Sequence, residues 1–242
     1  MAYGSTLYYI WLSEKFPKGS DMQGRLLRAF GTAENVYGAS TEELLERGFT
    51  KTEIRALEGK GLARAEDIAN DCFNKGVSVI SYGDGMYPDS LRYTDAPPAV
   101  LYARGILPSF EDNLFITAVG TRNMTPQGKR AAHKLCFDMA AAGAVIVSGM
   151  ARGIDSFCHR GAIDGGGITI AVLGSGCDIA YPPENELLMN EILRSGAVIS
   201  EYPPSEEPKQ ENFPVRNRLM AALSAATVVV EAGVGSGALI TA

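Results

Sequence analysis

Histidine is nearly missing from this chain, with two in 242 residues, and the four cysteines (Cys72, Cys136, Cys158, Cys177) lie 64, 22 and 19 residues apart with no CxxC. Neither a zinc site nor a disulfide framework fits that pattern, so reduced thiols, no metal and no cofactor are expected. An apolar run of about 18 residues is also lacking, which argues against a membrane span. The opening MAYGSTLYYIWLSEKF has neither the basic start nor the cleavage site of a signal peptide, so a cytoplasmic location is expected. Positive charge is not in excess either: 22 Lys and Arg against 28 Asp and Glu give a net charge of −6. A surface basic everywhere is excluded, whereas a local basic groove is not.

The charge is unevenly placed. Between Thr117 and Ala162 six cations (Arg122, Lys129, Arg130, Lys134, Arg152, Arg160) face two acids, Asp138 and Asp155. From Pro182 to Asn212 seven glutamates face Arg194 and Lys209. Either run reads as a solvated surface or, if its charges converge, as a site.

Five apolar, β-rich runs follow one another at the spacing of βαβ units: LFITAVG from 114, AVIVSG from 144, TIAVLG from 169, AVISEY from 197 and TVVVEA from 227. Helical patterns fill the gaps. Thr125 is a good N-cap and Pro126 a good first helical residue; Ala132, Leu135, Cys136 and Met139 make a stripe that stops near Gly143. Pro183 opens a second helix ending at Gly196, and Arg216, Asn217 and Arg218 are expected to start a third. Near-continuous apolar strands with intervening helices predict a doubly wound parallel sheet covered on both faces. GVSVISYGDG and APPAVLYARG are expected to extend it. The first 75 residues instead show helical periodicity, glycine breaks and caps such as Ser40 and Thr41, which predicts a small all-α region. Leu45–Gly48 with Phe49 and Thr50 offers one glycine of a helix-hairpin-helix without the second, so a packing role is expected there.

Ligands of an open parallel sheet bind beyond the carboxyl ends of its strands. The loops there read GTRNMTP, SGMARGID, GSGCDIAYPPEN, EYPPSEEPKQENFPVRNR and AGVGSG, rich in the small and polar residues of an anion-binding rim. Common cofactor signatures fail. Gly120 to Gly128 is too long for a Walker loop, and neither GSGCDI nor GVGSGA has the dinucleotide glycine step. Asp155 and His159, four apart, read as an acid/base or metal pair or as structural partners. Glu231, before a glycine loop, reads as a catalytic carboxylate or as an acceptor for loop amides. Arg216 and Arg218 read as phosphate donors or as a surface ion-pair cluster.

VGTR, SGMARGID with CHRGAI, VLGSGCDIAYPPEN, SEYPP, NFPVRNR and VVVEAGVGSGALITA occur in one order from which a family is readable: from Leu12 onward the sequence resembles the DprA/Smf family of bacterial DNA-processing proteins. The resemblance implies an extended Rossmann-like doubly wound domain, 73–242, behind a helical domain, 1–72, that is sterile-alpha-motif-like or helix-hairpin-helix-like. It implies single-stranded DNA binding and delivery to RecA in DNA processing and natural transformation, without catalysis, by a homodimer. The family's G-[ST]-R motif falls on Gly120, Thr121 and Arg122, the arginine being the expected DNA contact. Its SG pair falls on Ser148 and Gly149, with Arg152 in the same loop. Its GxG loop falls on Gly174, Ser175 and Gly176, with Asp178 following. RNR falls on Arg216, Asn217 and Arg218, and the last glycine loop contributes Ser236 and Gly237.

Some members carry a basic residue where this chain has Pro183, and Cys158 stands where alanine is usual. The family continues past LITA into further sheet and a winged-helix-like domain, on which dimerisation and RecA contact draw, so a truncated chain is expected. The rival is a Rossmann-like nucleotide phosphoribohydrolase of the lysine-decarboxylase-like group, which also pairs a Gly-Ser/Thr-Arg loop with a glutamate; its PGGxGTxxE signature is absent. A scaffold binding a mononucleotide is a third reading.

Overall fold

The computed structural model describes residues 4–233 and 237–241, and the side chains of all of these except Ile240 and Thr241. Ser236 lies outside the described residues.

Six short helices come first: α1 (Thr6–Ser13), α2 (Met22–Phe30), α3 (Ala33–Gly38), α4 (Thr41–Glu46), α5 (Lys51–Ala56) and α6 (Ala63–Asn74). Their starts follow local chemistry. Ser40 and Thr50 each form a capping box, with Glu43 and Glu53 returning the hydrogen bond to the cap's own N–H. No helix among the described residues is long and apolar enough to cross a membrane.

The remainder builds a seven-stranded sheet from β1 (Ser78–Ser81), β2 (Val100–Gly105), β3 (Phe115–Gly120), β4 (Val145–Ser148), β5 (Thr169–Leu173), β6 (Ala197–Ser200) and β7 (Ala226–Glu231), ordered β1-β2-β6-β5-β4-β3-β7. β3 to β7 start within one residue of the five apolar runs and pair in parallel. The expected extension is there but runs the other way: β2 is antiparallel to β6, and β1 to β2.

Helices cover both faces. On one lie α8 (Pro126–Ala141), α9 (Ile154–Asp164) and α10 (Glu186–Ser195), the last entered through a 3-10 turn at Pro183–Asn185. The N-terminal helices share that face, because Ile10, Leu26 and Ile68 belong to the same apolar cluster as Tyr102, Ala171, Leu173 and Val198 of the sheet. On the other face α7 (Asp89–Arg92), α11 (Asn212–Leu223) and α12 (Ala238–Thr241) pack on Leu101, Val145, Val147, Ile170 and Val172.

Two local expectations change. Leu135 is 43% exposed, and α8 buries Ala132, Cys136 and Ala140 instead, since small residues let it approach α9 closely. α11 begins at Asn212 rather than Arg216, because Pro214 is tolerated in a first helical turn. All four cysteines are buried and unpaired, and burial pushes the thiols of Cys72 and Cys177 up to about 12.

Candidate functional site

The chain leaves β3 for α8 on one face and returns to β7, beside β3, from α11 on the other. A crevice opens at the carboxyl ends of the strands, between the loops after β3 and β4 on one side and the start of α11 on the other. Beside it, the start of α8 is tied to the end of β7. Thr125 Oγ1 accepts the Gly128 amide at 3.0 Å, and the Glu231 carboxylate accepts the Thr125 amide at 3.1 Å. A Cβ on Gly128 would stand 1.6 Å from Glu231 Oε2, so only glycine lets the carboxylate reach this helix end. Of the two readings of Glu231, acceptance from loop amides is the one the geometry contains, and a negative charge at a helix start is favourable by about 0.3–1 kcal/mol.

The floor holds two buried groups of opposite charge. Asp155, in the first turn of α9, is 5% exposed and Arg216 of α11 is also 5% exposed. Burial raises Asp155 above its ordinary pKa, opposed by the Arg216 charge and by the amides of Ala151, Gly120 and Gly149. Burial also pulls Arg216 down to about 10, opposed by the charge of Asp155. Arg216 Nη1 donates to the carbonyls of Gly149, at 2.9 Å, and Val172. A Cβ on Gly149 would lie 2.5 Å from Arg216 Nη2, so glycine is needed for this guanidinium to pass. Four of the rim amides are already engaged: those of Gly120, Gly149 and Ala151 face Asp155, and that of Thr121 donates to Glu231 O at 2.7 Å. Side chains are left to recognise an anion.

Arg122 is the one best placed for it. It is exposed, no carboxylate among the described residues lies within 4.0 Å, and its guanidinium carbon sits 5.5 Å from the centre of the Phe213 ring. Phe213 in turn stacks on Tyr181, with centroids 5.4 Å apart and planes at 22°. Two adjoining cavities, of about 330 and 290 Å³, share Arg122, Ala151, Phe213 and Arg216 in their walls. The order cation, ring, ring along one wall is the composition of a groove for unpaired nucleotides. Along the chain neither Phe213 nor Tyr181 stands out as a site residue. Their signal was an aromatic beside each of two rim loops, legible only once the loops are brought together.

Comparison with known proteins decides the family. A family model described as DNA recombination-mediator protein A matches residues 78–242. The chain belongs to that family. The protein Smf of Synechocystis sp. is 36% identical over 247 residues, covering 100% of this chain and 62% of its own length. The DNA processing protein DprA of Bacillus subtilis is 38% identical over 168 residues, covering 69% of this chain and 57% of its own. This chain therefore spans less than two thirds of either relative. The X-ray structure of DNA processing protein A from Streptococcus pneumoniae superposes with a TM-score of 0.78 at 30% identity, over 97% of this chain and 81% of that one. A Helicobacter pylori DNA processing protein A, whose structure was described for its single-stranded DNA binding mode, aligns with a TM-score of 0.62 at 31% identity, over 68% of this chain and 74% of that one.

The family's motif residues divide within this frame. Gly120, Arg122, Gly149, Arg152, Arg216, Asn217 and Gly237 line one or both cavities. Thr121 stands beside them and ties the crevice, its carbonyl accepting the Ile154 amide at 3.1 Å. Arg152 is exposed but ion-paired with Glu184. Asn217 accepts from Arg216 Nε at 3.1 Å and donates to Gly237 O at 3.4 Å.

The others point elsewhere. Ser148 Oγ donates to Ala118 O at 2.6 Å inside the sheet. Gly174, Ser175 and Gly176 line neither cavity: the Gly174 carbonyl accepts from Asn212 at 2.8 Å, that of Ser175 accepts from Ser200 at 2.7 Å, and the Gly176 amide donates to Glu206 O at 2.8 Å. Asp178 accepts from Lys75 of α6 at 2.8 Å and from the Ser205 amide at 3.0 Å. Burial works to raise its pKa, yet Lys75 and Ser205 hold it below the ordinary value. Arg218 pairs with Glu201, whose side chain is 2% exposed. Asp155 and His159 are both buried but serve different partners, His159 Nδ1 lying 2.7 Å from Thr169 Oγ1. No metal-holding cluster of three or more His, Cys, Asp or Glu occurs among the described residues.

Proposed function

We propose that the chain binds single-stranded DNA along the crevice and, as a recombination mediator, hands it to RecA during DNA processing and natural transformation, without catalysing a reaction. The observation that carries this reading is Arg122: an exposed arginine with no carboxylate partner among the described residues, backed by Phe213 and Tyr181 where two cavities meet. Arg122 takes a phosphate, and the exposed Tyr181 offers a face on which a base stacks, at about 1–3 kcal/mol per stacked base. Family membership and the DNA-binding mode of the Helicobacter pylori relative support it. A homodimer and a cytoplasmic location complete the proposal for the whole protein, with residues 1–72 as a helical packing domain.

The test is oligothymidine binding across a salt series. The affinity is expected to fall with a slope of about −0.7 per phosphate neutralised. Arg122→Ala should lose roughly tenfold to a hundredfold, the 1.5–3 kcal/mol of a charged hydrogen bond. Salt-independent binding, or an unchanged Arg122→Ala variant, sinks the reading. Incubation with AMP tests the phosphoribohydrolase alternative: adenine release abolished by Glu231→Gln would establish it, and AMP competing as well as oligonucleotide would favour a mononucleotide scaffold.

A further inference from the structure

Outside the crevice, the outer surface of α8 and α9 carries a second gathering of positive charge. Lys129 and Arg130 in α8 and Arg160 in α9 are exposed, and none has a carboxylate within 4.0 Å among the described residues. Phe157 lies between two of them, with Lys129 Nζ 4.6 Å and Arg160 Cζ 5.6 Å from the ring centre. Lys129, Arg130, His133 and Phe157 line a concavity of about 210 Å³. The acids of this surface are engaged: Asp164 lies 2.7 Å from His133 Nε2 at the edge of the concavity, and Asp138 pairs with Lys134 further along α8.

Stability does not account for this arrangement. Lys129 and Arg160 share one ring and repel each other, and no carboxylate among the described residues lies within 4.0 Å of either. An anion arriving here relieves that repulsion. The position suits one anion in particular. Lys129 follows the Thr125 cap by four residues, about 6 Å along the helix, and Thr125 follows Arg122 by three residues.

We propose that the α8–α9 surface is a second contact for the phosphate backbone of a single strand leaving the crevice, with Lys129, Arg130 and Arg160 each meeting phosphate and Phe157 holding two of them in place. It rests on the crevice reading and extends the DNA path beyond it.

Binding of oligothymidines of about 4 and about 16 nucleotides separates the two sites. In the Lys129→Ala/Arg130→Ala/Arg160→Ala variant, whose fold is checked by thermal unfolding, the long oligonucleotide should bind about tenfold more weakly. Its salt slope should shrink by about 2, three phosphates at 0.7 each. The short one should change less than twofold, and a variant that swaps the same lysine and arginines for each other should bind like wild type. Arg122→Ala should weaken both lengths. Equal weakening of both lengths by the triple variant overturns the proposal in favour of a general field, and no weakening of either overturns it outright. Tighter binding of polyglutamate than of the long oligonucleotide, lost in the triple variant, overturns it in favour of an acidic protein partner. If Arg122→Ala affects neither length while the triple variant still weakens the long one, the crevice reading fails and the α8–α9 contact is upheld.

Discussion

Arg122 and Arg216 border the same two cavities and are held there in opposite ways. Arg122 is exposed over an aromatic ring and has no carboxylate partner among the described residues, whereas Arg216 is 5% exposed, donates to the carbonyls of two strand ends and faces a buried aspartate. Position at the carboxyl end of the sheet is common to both. What separates them is whether the donors are already engaged and whether another buried charge depends on them. One arginine is available to a ligand; the other keeps the floor of the crevice together.

The largest test of that contrast is Arg216→Ala. Removing it leaves Asp155 buried without its counter-charge, and the expected loss is about 3–5 kcal/mol in urea unfolding. A variant as stable as wild type would show that the floor does not need the pair.

Acid provides the next. Burial, and then the charge of Arg216, pull His159 from 6.5 down to about 3. The folded imidazole stays neutral where the unfolded one takes up a proton, so its contribution is full above the unfolded value of 6.5 and is lost as the pH falls towards about 3. By about pH 4.5 the expected loss is roughly 2–3 kcal/mol. Asp155, raised by burial, works in the opposite direction, so the measurement is the difference in pH slope between wild type and His159→Asn. Parallel slopes would remove His159 from the account.

Arg218→Met should cost less, about 2 kcal/mol, since Glu201 is buried but Arg218 keeps 26% of its side chain exposed. Arg122→Ala should be the smallest of the series, within about 0.5 kcal/mol of wild type in unfolding. An Arg122 variant that unfolds as readily as the Arg216 one would erase the distinction between them.

The parts of this molecule legible in its sequence are those with local causes. The five parallel strands declare themselves by apolar runs, and α8 by a threonine cap followed by a proline in its first turn. The antiparallel placement of β2 beside β6 had no such signal, because pairing across nearly a hundred residues depends on which edge the N-terminal helices leave open. The site divides along the same line. The place of Arg122 on the rim of the crevice was legible from its motif. The engagement of Arg218 by Glu201, of Asp178 by Lys75 and of the glycine-loop amides by Asp155 was not, because each partner comes from another loop or helix and is chosen by the fold. The stack of Tyr181 on Phe213 joins residues 32 apart and is equally invisible along the chain.

The four buried cysteines make the protein convenient to instrument. Cys72 and Cys177, held at about 12, and Cys136 and Cys158, packed between α8 and α9, offer a maleimide no accessible thiolate. A single cysteine introduced at exposed Asn123, on the wall of the smaller cavity, would then carry a fluorophore at one known place without deleting any native thiol. Its emission would test whether a strand enters the crevice.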